Sequence, residues 1–129
     1  MITKQGFGLI DSQDATFGNI AYDLASLIDD VRFRTDKILK DKILNHFIKN
    51  NNFLNKEKFI NDFEIMSVLR NFKIIGVFSR LSKRDKKHNY LKLIPHAWQL
   101  IEDRINNNNK FKDLKYIMDK NFPKTIRKK

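Results

Sequence analysis

Residues 55–87 read NKEKFINDFEIMSVLRNFKIIGVFSRLSKRDKK, and the fold turns on how they are taken. Phe59, Ile60, Phe63, Met66, Leu69, Phe72, Ile75, Phe78 and Leu81 recur at steps of three and four, the spacing that lines up side chains along one face of an α-helix. Ile65, Val68, Ile74 and Val77 add a second apolar face. A helix that is apolar on most sides must be enclosed, so this one is expected at the centre of a bundle. The side-chain oxygen of Asn55 suits the first cap, and the basic turn Lys83-Arg84-Asp85-Lys86-Lys87 should end the helix.

Upstream, Thr35 is read as the N-cap of a helix whose pairs Ile38/Leu39, Ile43/Leu44 and Phe47/Ile48 return at the helical period, until Asn50-Asn51-Asn52 breaks it. Tyr22, Leu24, Ala25, Leu27 and Ile28 fit a short helix entered through Gly18-Asn19. Before that, Phe7-Gly8-Leu9-Ile10 leans towards a strand ending at Asp11, and Ser12-Gln13-Asp14 reads as a turn. Downstream, Tyr90, Leu91, Ile94, Trp98, Ile101 and Ile105 mark another helical segment. Pro95 has no N–H, so the regular helix either starts near it or kinks there. An Asn106–Asn109 linker, a short helix with Phe111, Leu114, Ile117 and Met118, and a frayed basic tail from Pro123 to Lys129 complete the reading. The expected class is mainly α with a short N-terminal β-strand. Residues 1–14 form the strand and loop, 19–122 the helical region and 123–129 the tail of a single partial domain.

Composition limits the function classes. A chain of 129 residues, 41% hydrophobic with 11 Phe, can bury one core and is short for two ordinary domains. It has no Cys, which excludes disulfides, thiolate metal sites and zinc fingers. No export signal or membrane-spanning run is visible, so a cytoplasmic protein is expected, with no membrane partner. The net charge of +11 invites a nucleic-acid reading. Lys outnumbers Arg 19 to 7 and comes with abundant Asn, Ile and Phe, a bias that A/T-rich codons explain by themselves. The charge is also uneven. Residues 1–30 carry five Asp and one Lys, while residues 31–129 carry ten acids and 25 bases.

Several side chains have both a chemical and a plain structural reading. Asp11, at a strand end, suits a Mg²⁺ ligand or a turn residue that satisfies backbone N–H groups. Asp14 suits a second metal contact, loop support or a solvated carboxylate. Asp23 lies near a helix N-terminus, where the dipole favours an acid. Arg70, Lys73 and Arg80 share roughly one polar stripe of the long helix, which either meets an anionic sugar or phosphate or is solvated. His46, His88 and His96 lack ligand spacing, and Trp98 reads as core rather than as a sugar platform. No nucleophile, base and orienting residue form a triad, so no catalytic residue is assigned.

Two blocks carry a family resemblance. Gly8-Leu9-Ile10-Asp11-Ser12-Gln13-Asp14-Ala15, with Gly18 and Ala21-Tyr22-Asp23-Leu24-Ala25-Ser26-Leu27, resembles the metal-binding loop and following helix of the aminoglycoside phosphotransferase superfamily. Arg70-Asn71-Phe72-Lys73-Ile74-Ile75-Gly76-Val77-Phe78-Ser79-Arg80-Leu81, with Arg84-Asp85, Tyr90-Leu91 and Ile94-Pro95, is similar to its branch of bacterial anomeric sugar kinases, which act on N-acetylmuramate and N-acetylglucosamine. Ser12 stands where an aromatic is usual, Ile20 where Pro is common, and Lys86 and His88 where Gly and Pro are frequent.

The resemblance implies the C-terminal lobe of a protein-kinase-like fold that transfers the γ-phosphoryl group of ATP to a small-molecule hydroxyl, with an amino sugar as substrate class. It implies Asp11 as the ligand to Mg²⁺ and hence to ATP, Asp14 beside it, Asp23 supporting the catalytic loop, and Arg70, Lys73 and Arg80 as substrate contacts. The ATP-covering lobe, the base and its loop precede the metal-binding loop in that superfamily, whereas only ten residues precede Asp11 here. An upstream kinase lobe is therefore an expected partner, and the chain alone is expected to be inactive. The alternatives are a basic helical nucleic-acid-binding module, for which no recognition motif is present, and a nonfunctional gene remnant.

Overall fold

The structure is a computed structural model and describes residues 2–3, 6–7, 17–52 and 55–128. Asn55 Oδ1 accepts a hydrogen bond from the Lys58 N–H at 2.9 Å, and from that cap the quoted stretch runs as one helix, α3, Lys56–Asp85. Thirty residues make it roughly 45 Å long. Ahead of it in the chain lie α1 (Ala21–Ile28) and α2 (Lys37–Lys49). After it come α4 (Ile94–Ile105), α5 (Lys112–Asn121) and the single turn α6 (Lys124–Arg127).

The expected central position of α3 holds. Its first half, through Phe59 and Phe63, packs with Ala21, Leu24, Ala25 and Ile28 of α1, and α2 lays Ile43, Leu44, Phe47 and Ile48 against that cluster. Its middle, through Val68, Phe72 and Ile75, packs with Trp98, Ile101 and Ile105 of α4, joined by Phe111 and Met118. Farther along, Ile74 and Phe78 meet Ala97, Leu100 and Val31. Each large apolar side chain enclosed in this way contributes roughly 1.5–3 kcal/mol. Trp98 is core, as expected, set edge-on to Phe72 at 5.8 Å between ring centroids.

Several boundaries follow local chemistry. Asn50 ends α2 at the expected place. Pro95 sits in the first turn of α4, where a missing N–H costs nothing, so the helix starts there and does not kink. No helix of the described residues is long and apolar enough to cross a membrane.

Other expectations are corrected. The cap of α2 is Asp36, which accepts from the Leu39 N–H at 2.9 Å; a cap at Thr35 would start the helix one residue early. Ile38, Leu39, Leu69 and Ile117 keep the helical period but are exposed, because among the described residues no neighbouring element reaches their side of the helix. Tyr90 and Leu91 belong to a 3₁₀ turn, His88–Leu93, and not to the helix that follows. The tail does not fray over 124–127, since α6 is tied down by a buried Arg127.

A strand from Phe7 to Ile10 is not seen among the described residues. Extended pairing there is confined to β1 (Ile2–Thr3) against β2 (Gly6–Phe7), antiparallel, with Ile2 opposite Phe7. Gly6 has φ 118°, which only glycine adopts without strain. Residues 8–10 and Asp11 lie outside the described residues.

Candidate functional site

The C-terminal end of a helix carries partial negative charge, so a carboxylate there is disfavoured unless something else holds it. Asp29 is the residue that ends α1, and it is almost fully buried. Its Oδ1 accepts from Lys40 Nζ of α2 at 2.7 Å. Its Oδ2 accepts from Ser67 Oγ of α3 at 2.6 Å and from Arg104 Nη2 of α4 at 2.9 Å. Its backbone carbonyl accepts from Arg70 Nη1 at 3.0 Å. One acid thus joins α1 to three other helices.

Burial pushes the Asp29 carboxyl up, but the Arg104 guanidinium, the hydrogen bonds from Lys40 and Ser67 and the charge of Lys40 together hold it below its ordinary value. A carboxylate so fully engaged is a poor proton acceptor and a strong structural tie. Arg104 also lies over the Phe63 ring at 4.9 Å, which ties the cluster to the apolar core. A cavity of about 370 Å³ opens beside it, lined among others by Lys37, Lys40 and Asp41 of α2 and by Asp103 and Arg104 of α4. Its cations and carboxylates are interspersed, and Lys40 and Arg104 are already bound to Asp29.

The residues expected to form a site are spread out. Asp11 and Asp14 lie outside the described residues. Asp23 is exposed in the first turn of α1. Arg70 turns inward to the Asp29 carbonyl, whereas Lys73 stays exposed with Nζ 3.4 Å from Tyr22 Oη and 5.9 Å from the centre of that ring. Arg80 is also exposed, roughly 15 Å along α3 from Arg70. The structure therefore brings Arg70 and Lys73 to α1 and leaves Arg80 apart.

His96 is buried with Nδ1 2.9 Å from the Val31 carbonyl, and His88 Nδ1 lies 2.8 Å from Ser82 Oγ. Among the described residues no group of three or more His, Asp or Glu gathers as a metal site.

A second polar tie was not legible in the sequence either. Arg127 of α6 donates to Glu102 Oε1 of α4 at 2.7 Å, to Asp119 Oδ1 of α5 at 2.6 Å and to the Phe122 carbonyl at 2.6 Å, with its guanidinium 5.8 Å from the centre of the Trp98 ring. The signal that could have found Asp29 was local: an acid at the wrong end of an apolar helix breaks a helix rule, and such breaks mark distant partners. Arg127 gave no such signal.

Fold and site together define a mainly helical protein whose buried charges fasten helices to one another. No family model matches the chain. It is similar to curated N-acetylmuramate/N-acetylglucosamine kinases. That of Neisseria meningitidis serogroup B is 34% identical over 104 residues, covering 74% of this chain and 30% of the relative. That of Caulobacter vibrioides is 28% identical over 95 residues, 74% of this chain and 26% of the relative. That of Pseudomonas aeruginosa is 28% identical over 111 residues, 81% of this chain and 33% of the relative. The resemblance read from the sequence is thereby shown: the chain is a homologue of these sugar kinases and corresponds to their C-terminal part. It spans about a third or less of the length of the curated relatives it matches.

Proposed function

We propose that this chain is the C-terminal helical part of a phosphotransferase with a protein-kinase-like fold, which moves the γ-phosphoryl group of ATP to a hydroxyl of an amino sugar in the cytoplasm. The observation that carries this reading is the match to four sugar kinases over 74–81% of the chain. The mainly helical architecture agrees with it.

In that reaction the acceptor oxygen bonds to the γ-phosphorus, the bond to the β,γ-bridging oxygen breaks, ADP leaves, and the hydroxyl proton passes to a base. No residue of this chain is assigned as that base, so turnover requires the upstream lobe. Asp11 is the proposed Mg²⁺ ligand, with Asp14 in support. When bound, the metal neutralises charge on the nucleotide phosphates. Asp23, exposed in the first turn of α1, is the proposed support for the catalytic loop of the upstream lobe. Lys73 and Arg80 remain available for an anionic group, while Arg70 contributes a bond to the Asp29 carbonyl.

The test joins this chain to the part of the Caulobacter vibrioides kinase that precedes its matched region, and measures ADP formation dependent on an amino sugar. Asp11→Asn should nearly abolish turnover with an unchanged melting temperature, because it keeps the side-chain shape and removes the charge. Asp14→Asn should cost less, and Asp23→Asn should lower both rate and stability. A fully active Asp11→Asn protein would show the metal assignment to be wrong.

A further inference from the structure

Between α1 and α2 the chain turns through Asp29-Asp30-Val31-Arg32-Phe33-Arg34, and this turn is fastened along most of its length. The Asp29 carboxylate is tied to α2, α3 and α4. The Asp30 carbonyl accepts from the Phe33 N–H at 3.1 Å, and Asp30 Oδ1 accepts from the Arg32 N–H at 2.9 Å, which closes the turn on itself. Val31 is buried in the core, and its carbonyl accepts from His96 Nδ1 at 2.9 Å. Arg34 donates to Gln99 Oε1 of α4 at 3.3 Å. From this rigid base two side chains project outward, Arg32 at 68% and Phe33 at 67% exposure.

Arg32 is exposed but oriented. Its Nε donates to Asp30 Oδ1 at 3.0 Å and its Nη2 to Asp30 Oδ2 at 2.6 Å. These hydrogen bonds outweigh burial and, with the charges of Arg32 and Arg70, hold the Asp30 carboxyl below its ordinary value, so the pair stays ionised at neutral pH. A guanidinium has a second edge. Asp30 takes the Nε–Nη2 edge, and the Nη1–Nη2 edge, which can grip another carboxylate, has no partner among the described residues. A single exposed ring is ordinary, but Phe33 stands beside that guanidinium, 6.0 Å from it to the ring centre. Tyr90 of the 3₁₀ turn is near enough for its phenol to act on Arg32. Seven residues separate Asp30 from Asp23, roughly 10 Å along α1, which puts the turn within reach of an acceptor bound beside the catalytic loop.

The kinases matched by this chain are named for both N-acetylmuramate and N-acetylglucosamine. The first is the second with a lactyl ether on one hydroxyl, so the two share a pyranose ring and differ by a carboxylate. We infer that the turn Asp30–Phe33 is the element that tells such acceptors apart: the open edge of Arg32 takes the carboxylate of an acidic amino sugar, and Phe33 packs on the ring face that acidic and neutral sugars share. Asp30 is a positioning residue that acts through Arg32. The inference rests on the proposed function, and its test reads binding as well as turnover.

Calorimetric titration measures Kd for N-acetylmuramate and for N-acetylglucosamine on the chain joined to the upstream part of the Caulobacter vibrioides kinase, and ADP formation gives KM and kcat for each. Arg32→Gln should weaken N-acetylmuramate by about tenfold, the lower end for a hydrogen bond to a charged group because Arg32 is exposed, and leave N-acetylglucosamine unchanged. In turnover the loss should fall on KM and not on kcat. Arg32→Lys should recover only part of it, since an ammonium keeps the charge without the fork. Asp30→Asn should weaken the acidic sugar alone, by less than Arg32→Gln, and Phe33→Ala should weaken both sugars alike. An Arg32→Gln fusion in which the ratio between the two sugars is unchanged overturns the inference, and so does a folded fusion that binds neither sugar. If the fusion with the unchanged ratio is active, the kinase reading stands without the inference. An Arg32-dependent preference in a fusion that forms no ADP upholds the inference and counts against the kinase reading.

Discussion

Lys86 ends α3 in the left-handed region, with φ 57°, and the Lys87 N–H closes back on the Leu81 carbonyl at 3.1 Å. This is the turn that glycine makes without a Cβ penalty, which gives a physical reason why Gly is frequent at this place in the sugar-kinase branch. Lys86→Gly should therefore stabilise the chain by roughly 0.5–1 kcal/mol, the relief of left-handed strain less the extra entropy of an unfolded glycine. A urea midpoint that stays or falls would contradict this. Asp29 makes the opposite case, a residue whose replacement is costly. Asp29→Asn leaves Lys40 and Arg104 without their carboxylate; as both are partly exposed, the cost should be about 2–4 kcal/mol, towards the lower part of what breaking a buried pair costs. Because the folded carboxyl lies below its ordinary 3.8, its contribution is complete above that pH and is lost as pH falls through the folded value. Urea unfolding across pH 2–6 should show a steeper acid loss in the parent than in Asp29→Asn; parallel curves would remove Asp29 from the account of acid stability.

At the scale of elements, α6 is too short to be stable by itself, since a lone turn fixes several residues for one or two hydrogen bonds. What holds it is Arg127, buried against Trp98 and bonded to Glu102 and Asp119. Arg127→Ala should release α6 and cost about 1–2 kcal/mol, a modest figure because both carboxylates regain water. Trp98 is the only tryptophan, so its emission should shift to the red as its neighbour leaves. An unshifted spectrum with unchanged stability would mean that α6 is not docked in solution.

For the whole molecule, the charge excess is the property most open to misreading. Residues 31–129 hold 25 bases, yet Lys40, Arg70, Arg104 and Arg127 are spent on internal bonds. We expect duplex DNA to bind weakly and without sequence preference, with affinity falling by a log–log slope of about −0.9 for each phosphate contacted and vanishing near physiological salt. Tight binding retained at that salt, with preference for one sequence, would move the basic-module reading ahead of the kinase one.

The chain's own order of residues determined what depends on neighbours within about four positions. The Asn55 cap, the period of α3, the stop at Asn50 and the start at Pro95 are backbone hydrogen-bonding problems solved by adjacent side chains, and each was legible before the fold was known. The kinase resemblance was legible for a different reason, because motif identity survives in a sequence whatever its fold. The Thr35 cap missed by one residue because Thr and Asp are both good caps, and only the path of the chain selects between them. Tertiary structure alone decided which members of an apolar stripe are enclosed: Leu69 and Phe72 share the period, but α4 arrives over Phe72 and no described residue encloses Leu69. It alone gave Asp29 its role, since its side-chain partners lie 11, 38 and 75 residues away, and a buried charge is tolerated only when such partners converge on it.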